Sequence, residues 1–125
     1  MENFFFIRIG KRFSKVILQE ILCIEGCENY VKLHTEKKMY MIIVTMKEME
    51  KHLPETLFCR VHKSWIINIS QVIWFDEFVI QIKDKYIPIG NLSKSALKEK
   101  VIIVNEKKRD GRYKRINEKR MKIVA

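Results

Sequence analysis

Between Phe4 and Ile89 the apolar residues fall in short runs, among them FFFI, VIL, ILCI, YMII, WII, VIWF and YIPI, each ended by a polar or glycine-bearing break. Runs of this length suit β-strands of a small domain, and none approaches the roughly 20 residues that a membrane helix requires. Phe4 to Ile9 and Phe13 to Leu18 read as a hairpin around Gly10, Lys11 and Arg12. Ile21 to Glu25 reads as an extended run ending at Gly26. Asn29 to Thr35 alternates, with Val31 and Leu33 on one face and Tyr30, Lys32 and His34 on the other. Met39 to Val44 follows the polar turn Glu36-Lys37-Lys38 as a further strand. Val72 to Asp76, Phe78 to Lys83 and Tyr86 to Ile89 complete the series, with Asp84 and Lys85 as the turn of a final hairpin.

Two short helices interrupt the strands. Thr45 offers an N-cap with Glu48 three residues on, and Met46, Met49 and Leu53 recur at helical spacing before Pro54 stops the helix. These methionines are expected to pack on the sheet rather than to serve a cofactor. A second capped helix is expected from Ser93 through Ala96, Leu97 and Val101. The expected class is therefore mainly β, with small antiparallel sheets and two short helices.

At 125 residues the chain accommodates one domain, expected over residues 1–104. Residues 105–125 hold nine Lys/Arg against three Asp/Glu, whereas residues 1–104 hold sixteen against twelve. Such a tail cannot bury enough apolar surface to offset its ordering entropy, so it is expected to be a disordered basic extension. The net charge of +10 points to a polyanionic partner, nucleic acid first and an anionic membrane surface second. The opening Phe4 to Ile7 run is too short for a secretion signal, which makes the cytoplasm the expected location.

The sequence carries no recognisable catalytic constellation. A Gly-rich phosphate loop, G-x-S-x-G and H-E-x-x-H are all missing, and Asp76-Glu77 reads as a solvated turn. Cys23, Cys27 and Cys59 are odd in number and lack knuckle spacing with His52 or His62, so neither a disulfide framework nor a metal site is expected. Cys23 and Cys59 read as small buried hydrophobes. A binding module without cofactor or small-molecule substrate is the expectation, not an enzyme.

Three polar clusters lie at strand ends: Glu28-Asn29-Tyr30, Arg60 to Ser64, and Gly90 to Lys94. Arg60 and Lys63 can neutralise phosphate or donate to guanine, and Asn29 or Asn91 can pair with adenine. Ser64, Ser93 and the neighbouring amides suit phosphate oxygens. Each also has an ordinary structural reading: Asn91 or Ser93 can cap a helix, and His62 or Arg60 can be satisfied within the fold.

The runs ILCIEGCENYVKLHT, TMKEMEKHLPETLF, FCRVHKSWIIN and YIPIG occur in order over about residues 4–103 and together resemble the LytTR family of DNA-binding domains. The family pattern is matched at Phe58, Arg60, His62, Lys63, Ser64, Trp65, Ile66, Ile67 and Asn68. The resemblance implies an elongated arrangement of small antiparallel sheets that sends loops, not a recognition helix, into successive major grooves at direct repeats. It implies double-stranded DNA as partner, a second copy on repeated sites, and control of transcription, often as the output half of a response regulator under a sensor kinase or membrane protein. The DNA-facing residues would be Asn29, Tyr30, His62, Lys63, Ser64 and the segment with Asn91, Ser93 and Lys94. Arg60 and Asn68 would support the loop. Asn91 stands where the family commonly carries Arg or Lys, so it would read a different base or leave the phosphate role to Lys94. With no receiver domain ahead of the first strand, the chain is expected to be a stand-alone regulator or an excised domain. The competing reading is an interaction module that keeps the fold but binds a protein partner or an anionic membrane.

Overall fold

The structure, a computed structural model, describes residues 3–107, so most of the basic tail expected over 105–125 lies outside the described residues. Strands β1 (Phe4–Ile9) and β2 (Arg12–Ile17) form a two-stranded antiparallel hairpin. Its tight turn is Gly10-Lys11, because Ile9 already pairs with Arg12. Gly10 has φ +64°, a conformation that only glycine adopts without penalty.

The central element is a five-stranded antiparallel sheet. It is built from β3 (Ile21–Cys27), β4 (Tyr30–Thr35), β5 (Met39–Ile42), β6 (Phe58–His62) and β7 (Trp65–Asn68), in the order β5-β4-β3-β7-β6. Helix α1 (Met46–Glu50) bridges β5 to the loop before β6, and the Thr45 hydroxyl accepts from the Glu48 amide at 3.1 Å. A third sheet, β10-β9-β8, comprises β8 (Val72–Phe75), β9 (Val79–Ile82) and β10 (Lys85–Pro88).

Both faces of the central sheet are covered, and strand alternation decides which residue goes where. Ile24, Val31, Leu33, Ile42, Phe58 and Ile66 pack under the β1–β2 hairpin and α1, where Met49 and Leu53 contribute as the helical spacing predicts. On the opposite face Cys23, Cys59, Val61 and Ile67 pack with Ile80, Ile82, Ile87 and Leu97 of the third sheet and the C-terminal segment. Cys23 and Cys59 are thus core residues. Burial pushes the Cys23 thiol up to about 12 and raises that of Cys59 as well.

Several boundaries differ from the sequence reading. β3 does not end at Gly26 but runs through it to Cys27. The β9–β10 turn is Lys83-Asp84, one residue earlier than expected, and Lys83 sits at φ +54°. Pro88 is accommodated because β10 is an edge strand, where a missing amide donor breaks no ladder bond. The segment from Ser93 does not form an α-helix. It forms 3₁₀ turns over Asn91–Ser93 and Lys98–Lys100, with amides bonding three residues back in Ser93→Gly90, Ala96→Ser93 and Lys100→Leu97. Only Leu97 is fully buried there, too small an apolar stripe to drive a regular helix. The Lys100 ammonium instead pins this segment through the carbonyls of Glu55 and Phe58, each at 3.0 Å.

Candidate nucleic-acid interface

The antiparallel order of the central sheet carries two turns to one end of the molecule. The β3–β4 turn is Glu28-Asn29, flanked by the pair Cys27 and Tyr30. The β6–β7 turn is Lys63-Ser64, flanked by His62 and Trp65. Because β3 pairs with β7, with Glu25 opposite Trp65, these turns are neighbours, and the Gly26 amide donates to the Ser64 carbonyl at 2.8 Å. On the other side of β6 the Gly90 amide donates to the Val61 carbonyl at 2.8 Å, which anchors the segment entering Asn91. The three polar clusters therefore stand in one row: Glu28-Asn29, Lys63-Ser64, then Asn91 to Lys94.

Two glycines that residue chemistry alone had not singled out allow this adjacency. A Cβ on Gly26 would lie 2.6 Å from Met46 Cγ and 3.6 Å from Ser64 Cα. One on Gly90 would meet His62 Cα at 3.5 Å and the Val61 carbonyl at 3.7 Å. A lone glycine in a strand pattern is the signal for such close approach, and Gly26 carried it. Glu28 adopts φ +45°, the left-handed geometry that a two-residue turn demands, at a cost of order 1 kcal/mol for a residue other than glycine.

Inside the row the residues divide by contact. Lys63, Asn29, Asn91 and Lys94 are exposed, whereas Tyr30, His62, Ser64 and Ser93 are half-buried. His62 Nδ1 accepts from the Ser64 amide at 3.0 Å, so the imidazole shapes the turn and carries its proton on Nε2. Arg60 spans from Glu50 Oε1, at 3.2 Å, to the Lys63 carbonyl, tying the turn to α1. Lys94 lies with its ammonium 5.2 Å from the Phe78 ring centroid. The 3₁₀ turn at Asn91 is entered from Gly90 without a side-chain cap, so neither Asn91 nor Ser93 caps it. Asn68 sits at the opposite end of the β6–β7 hairpin from the turn. Fully buried, it donates to the carbonyls of Leu18 and Ile21 and accepts from the Ser70 amide and hydroxyl.

Below the row, on the face of β4 that carries Tyr30, His34 stacks on Trp65 with centroids 6.5 Å apart and bonds Glu25 at 3.3 Å. Trp65 is half-buried and packs at the edge of the core that holds Cys23, Cys59, Val61 and Ile67. The Glu25 carboxylate favours the imidazolium, but burial outweighs it and holds the His34 pKa below its usual value.

Cationic and amide side chains presented on tight turns, with an exposed acceptor at Glu28, can neutralise phosphate and address base edges. A row of this kind at one end of a β-rich module is chemically suited to DNA. The model of the LytTr DNA-binding domain family matches residues 11–102, and the chain belongs to that family. It is similar to the sensory transduction protein LytT of Enterococcus faecalis, with 25% identity over 96 residues. That match covers 72% of this chain and 40% of the relative, so the chain spans well under half of the relative's length. Its fold is that of a solved LytTr DNA-binding domain from Bacillus cereus, with a TM-score of 0.62 at 15% identity over 79% of this chain and 94% of that one. Among the described residues no helix is long and apolar enough to cross a membrane.

Proposed function

We propose that this domain recognises specific sequences in double-stranded DNA to regulate transcription, with the row of three loops as its reading surface. The observation that carries this reading is the adjacency of the clusters through the Gly26–Ser64 and Gly90–Val61 backbone bonds, in a chain of the LytTr DNA-binding family. Lys63 and Lys94 neutralise phosphate, Asn29 and Asn91 address base edges, and Ser64 and Ser93 donate to phosphate oxygens. His62 holds the central turn, Arg60 braces that turn from α1, and Tyr30 stands at the foot of the Glu28-Asn29 turn. Asn68 acts one step further away, by fixing the start of β3. Operators made of direct repeats would seat a second copy, and the domain would act in the cytoplasm. The likeness to a sensory transduction protein supports an upstream sensor kinase or membrane protein as the source of the signal.

Selection from randomised duplexes, followed by titration at two salt concentrations, tests the reading. Lys63→Ala is expected to weaken every duplex by about 1 kcal/mol and to reduce the salt slope by about one unit. Asn91→Ala is expected to relax preference at one position only. Failure to enrich any sequence, or equal binding of selected and random duplexes, would overturn sequence-specific recognition.

A further inference from the structure

The side of the molecule formed by β1 and β5 carries a feature that DNA reading does not use. Among the described residues β1 pairs only with β2, and β5 is the outermost strand of the central sheet, so each has one edge without a partner strand there. The two edges flank one cleft of about 460 Å³. It is lined by the consecutive residues Phe5 to Gly10 on one side and Met41 to Val44 on the other. Successive side chains of a strand point to opposite faces, so a lining made of consecutive residues means that the cleft runs along the strand edges. Unpaired edges of this kind are templates for another strand unless something covers them.

The walls are apolar and open to solvent: Phe6 is 55% exposed, Met41 52% and Ile43 86%. The rim is cationic, with Arg8 in the lining and Arg12 and Lys38 in the adjoining groove over β2 and β5. Arg8 makes its one side-chain hydrogen bond to the Gly10 carbonyl, and among the described residues no carboxylate forms an ion pair with these cations. The chain's own residues 108–125, EKRMKIVA included, are strongly basic and would be repelled from such a rim.

We infer that this cleft is a docking groove for an extended acidic segment of a protein partner. The segment adds as a strand to the free edges of β1 and β5, with alternate apolar side chains in the cleft and carboxylates toward Arg8 and Arg12. Backbone hydrogen bonds provide affinity in this mode, and the apolar pockets and the charged rim provide selectivity.

The test uses the 125-residue chain and a synthetic ten-residue peptide alternating valine with glutamate, compared with its valine–lysine counterpart. Binding is read by amide chemical shifts and hydrogen exchange. The expected result is protection of amides in β1 and β5 with the acidic peptide, at least about tenfold tighter than the lysine peptide. Arg8→Glu with Arg12→Glu is expected to reverse that preference. Ile43→Ser, at a position too exposed to threaten the fold, weakens the acidic peptide while duplex binding stays unchanged. Shifts confined to other surfaces, equal binding of both peptides, or an unchanged preference in the charge-reversed variant would overturn the inference. Capture by phosphatidylglycerol vesicles with no peptide binding would also overturn it, in favour of a membrane surface.

Discussion

Replacing Asn68 by alanine removes four hydrogen bonds at a position with no solvent access. The partners decide the cost. The Leu18 carbonyl keeps a second donor, the Ile21 amide, so its loss is small. The Ile21 carbonyl lies in a fully buried residue and accepts Nδ2 at 2.8 Å, so orphaning it costs about 1–2 kcal/mol. The Ser70 amide and hydroxyl lie at the surface and can turn to water, at roughly 0.5 kcal/mol. Truncating the side chain leaves a void worth about 1 kcal/mol more. The total is about 3 kcal/mol, which for a domain of this size lowers Tm by about 12–24 °C. Urea titration should show an earlier midpoint at unchanged slope. Asn68→Asp retains the acceptor but sets a second oxygen against the two carbonyls, so it should be as destabilised at neutral pH and recover as acid protonates it. A loss below about 1 kcal/mol for Asn68→Ala would refute the claim that this side chain clamps the start of β3 to β7.

Other expectations follow from the same contacts. Gly26→Ala, whose Cβ would lie 2.6 Å from Met46 Cγ, should cost about 1–2 kcal/mol, and Met46→Ala in the same chain should recover part of it in a double-mutant cycle. With the Cys23 thiol held at about 12 and that of Cys59 also raised by burial, a chromogenic thiol titration near pH 8 should count only Cys27 quickly in the native protein and all three after denaturation. Rapid reaction of two thiols in the folded chain would contradict that. Burial lowers the His34 pKa from its usual 6.5, so as pH falls below that value the unfolded chain takes up a proton that the native one resists. Stability attributable to His34 should therefore fall in acid, and urea unfolding of His34→Gln should show a smaller loss between about pH 7.5 and about pH 5.5 than the parent. An equal loss in both would refute this account.

Strand identity was legible wherever alternation was clear. Val31 and Leu33 enter the core, and Lys32 and His34 stay on the other face, because period-two patterning leaves no alternative once one face is buried. The first helix was legible from Thr45, Glu48, Met49 and Pro54, since its cap and its stop are local chemistry. The polar clusters were visible as residue types, and the run FCRVHKSWIIN carried the family. The second helix was misread because Ser93 to Val101 supplies helix-like spacing but only one fully buried anchor, and whether a short amphipathic segment coils depends on what it packs against.

Tertiary structure alone decided how the site is assembled. Sequence separations of more than thirty residues divide Gly26 from Ser64, and only antiparallel pairing of β3 with β7 brings them within 2.8 Å. Gly90 and Val61 are likewise distant in sequence and meet only in the fold, which also turns His62 and Arg60 onto the Lys63-Ser64 turn and leaves Lys63 exposed. Composition and spacing fixed which groups could meet a polyanion. Strand order, close backbone approach at two glycines and the burial of Asn68 fixed where those groups stand, because these depend on contacts between segments that no local pattern encodes.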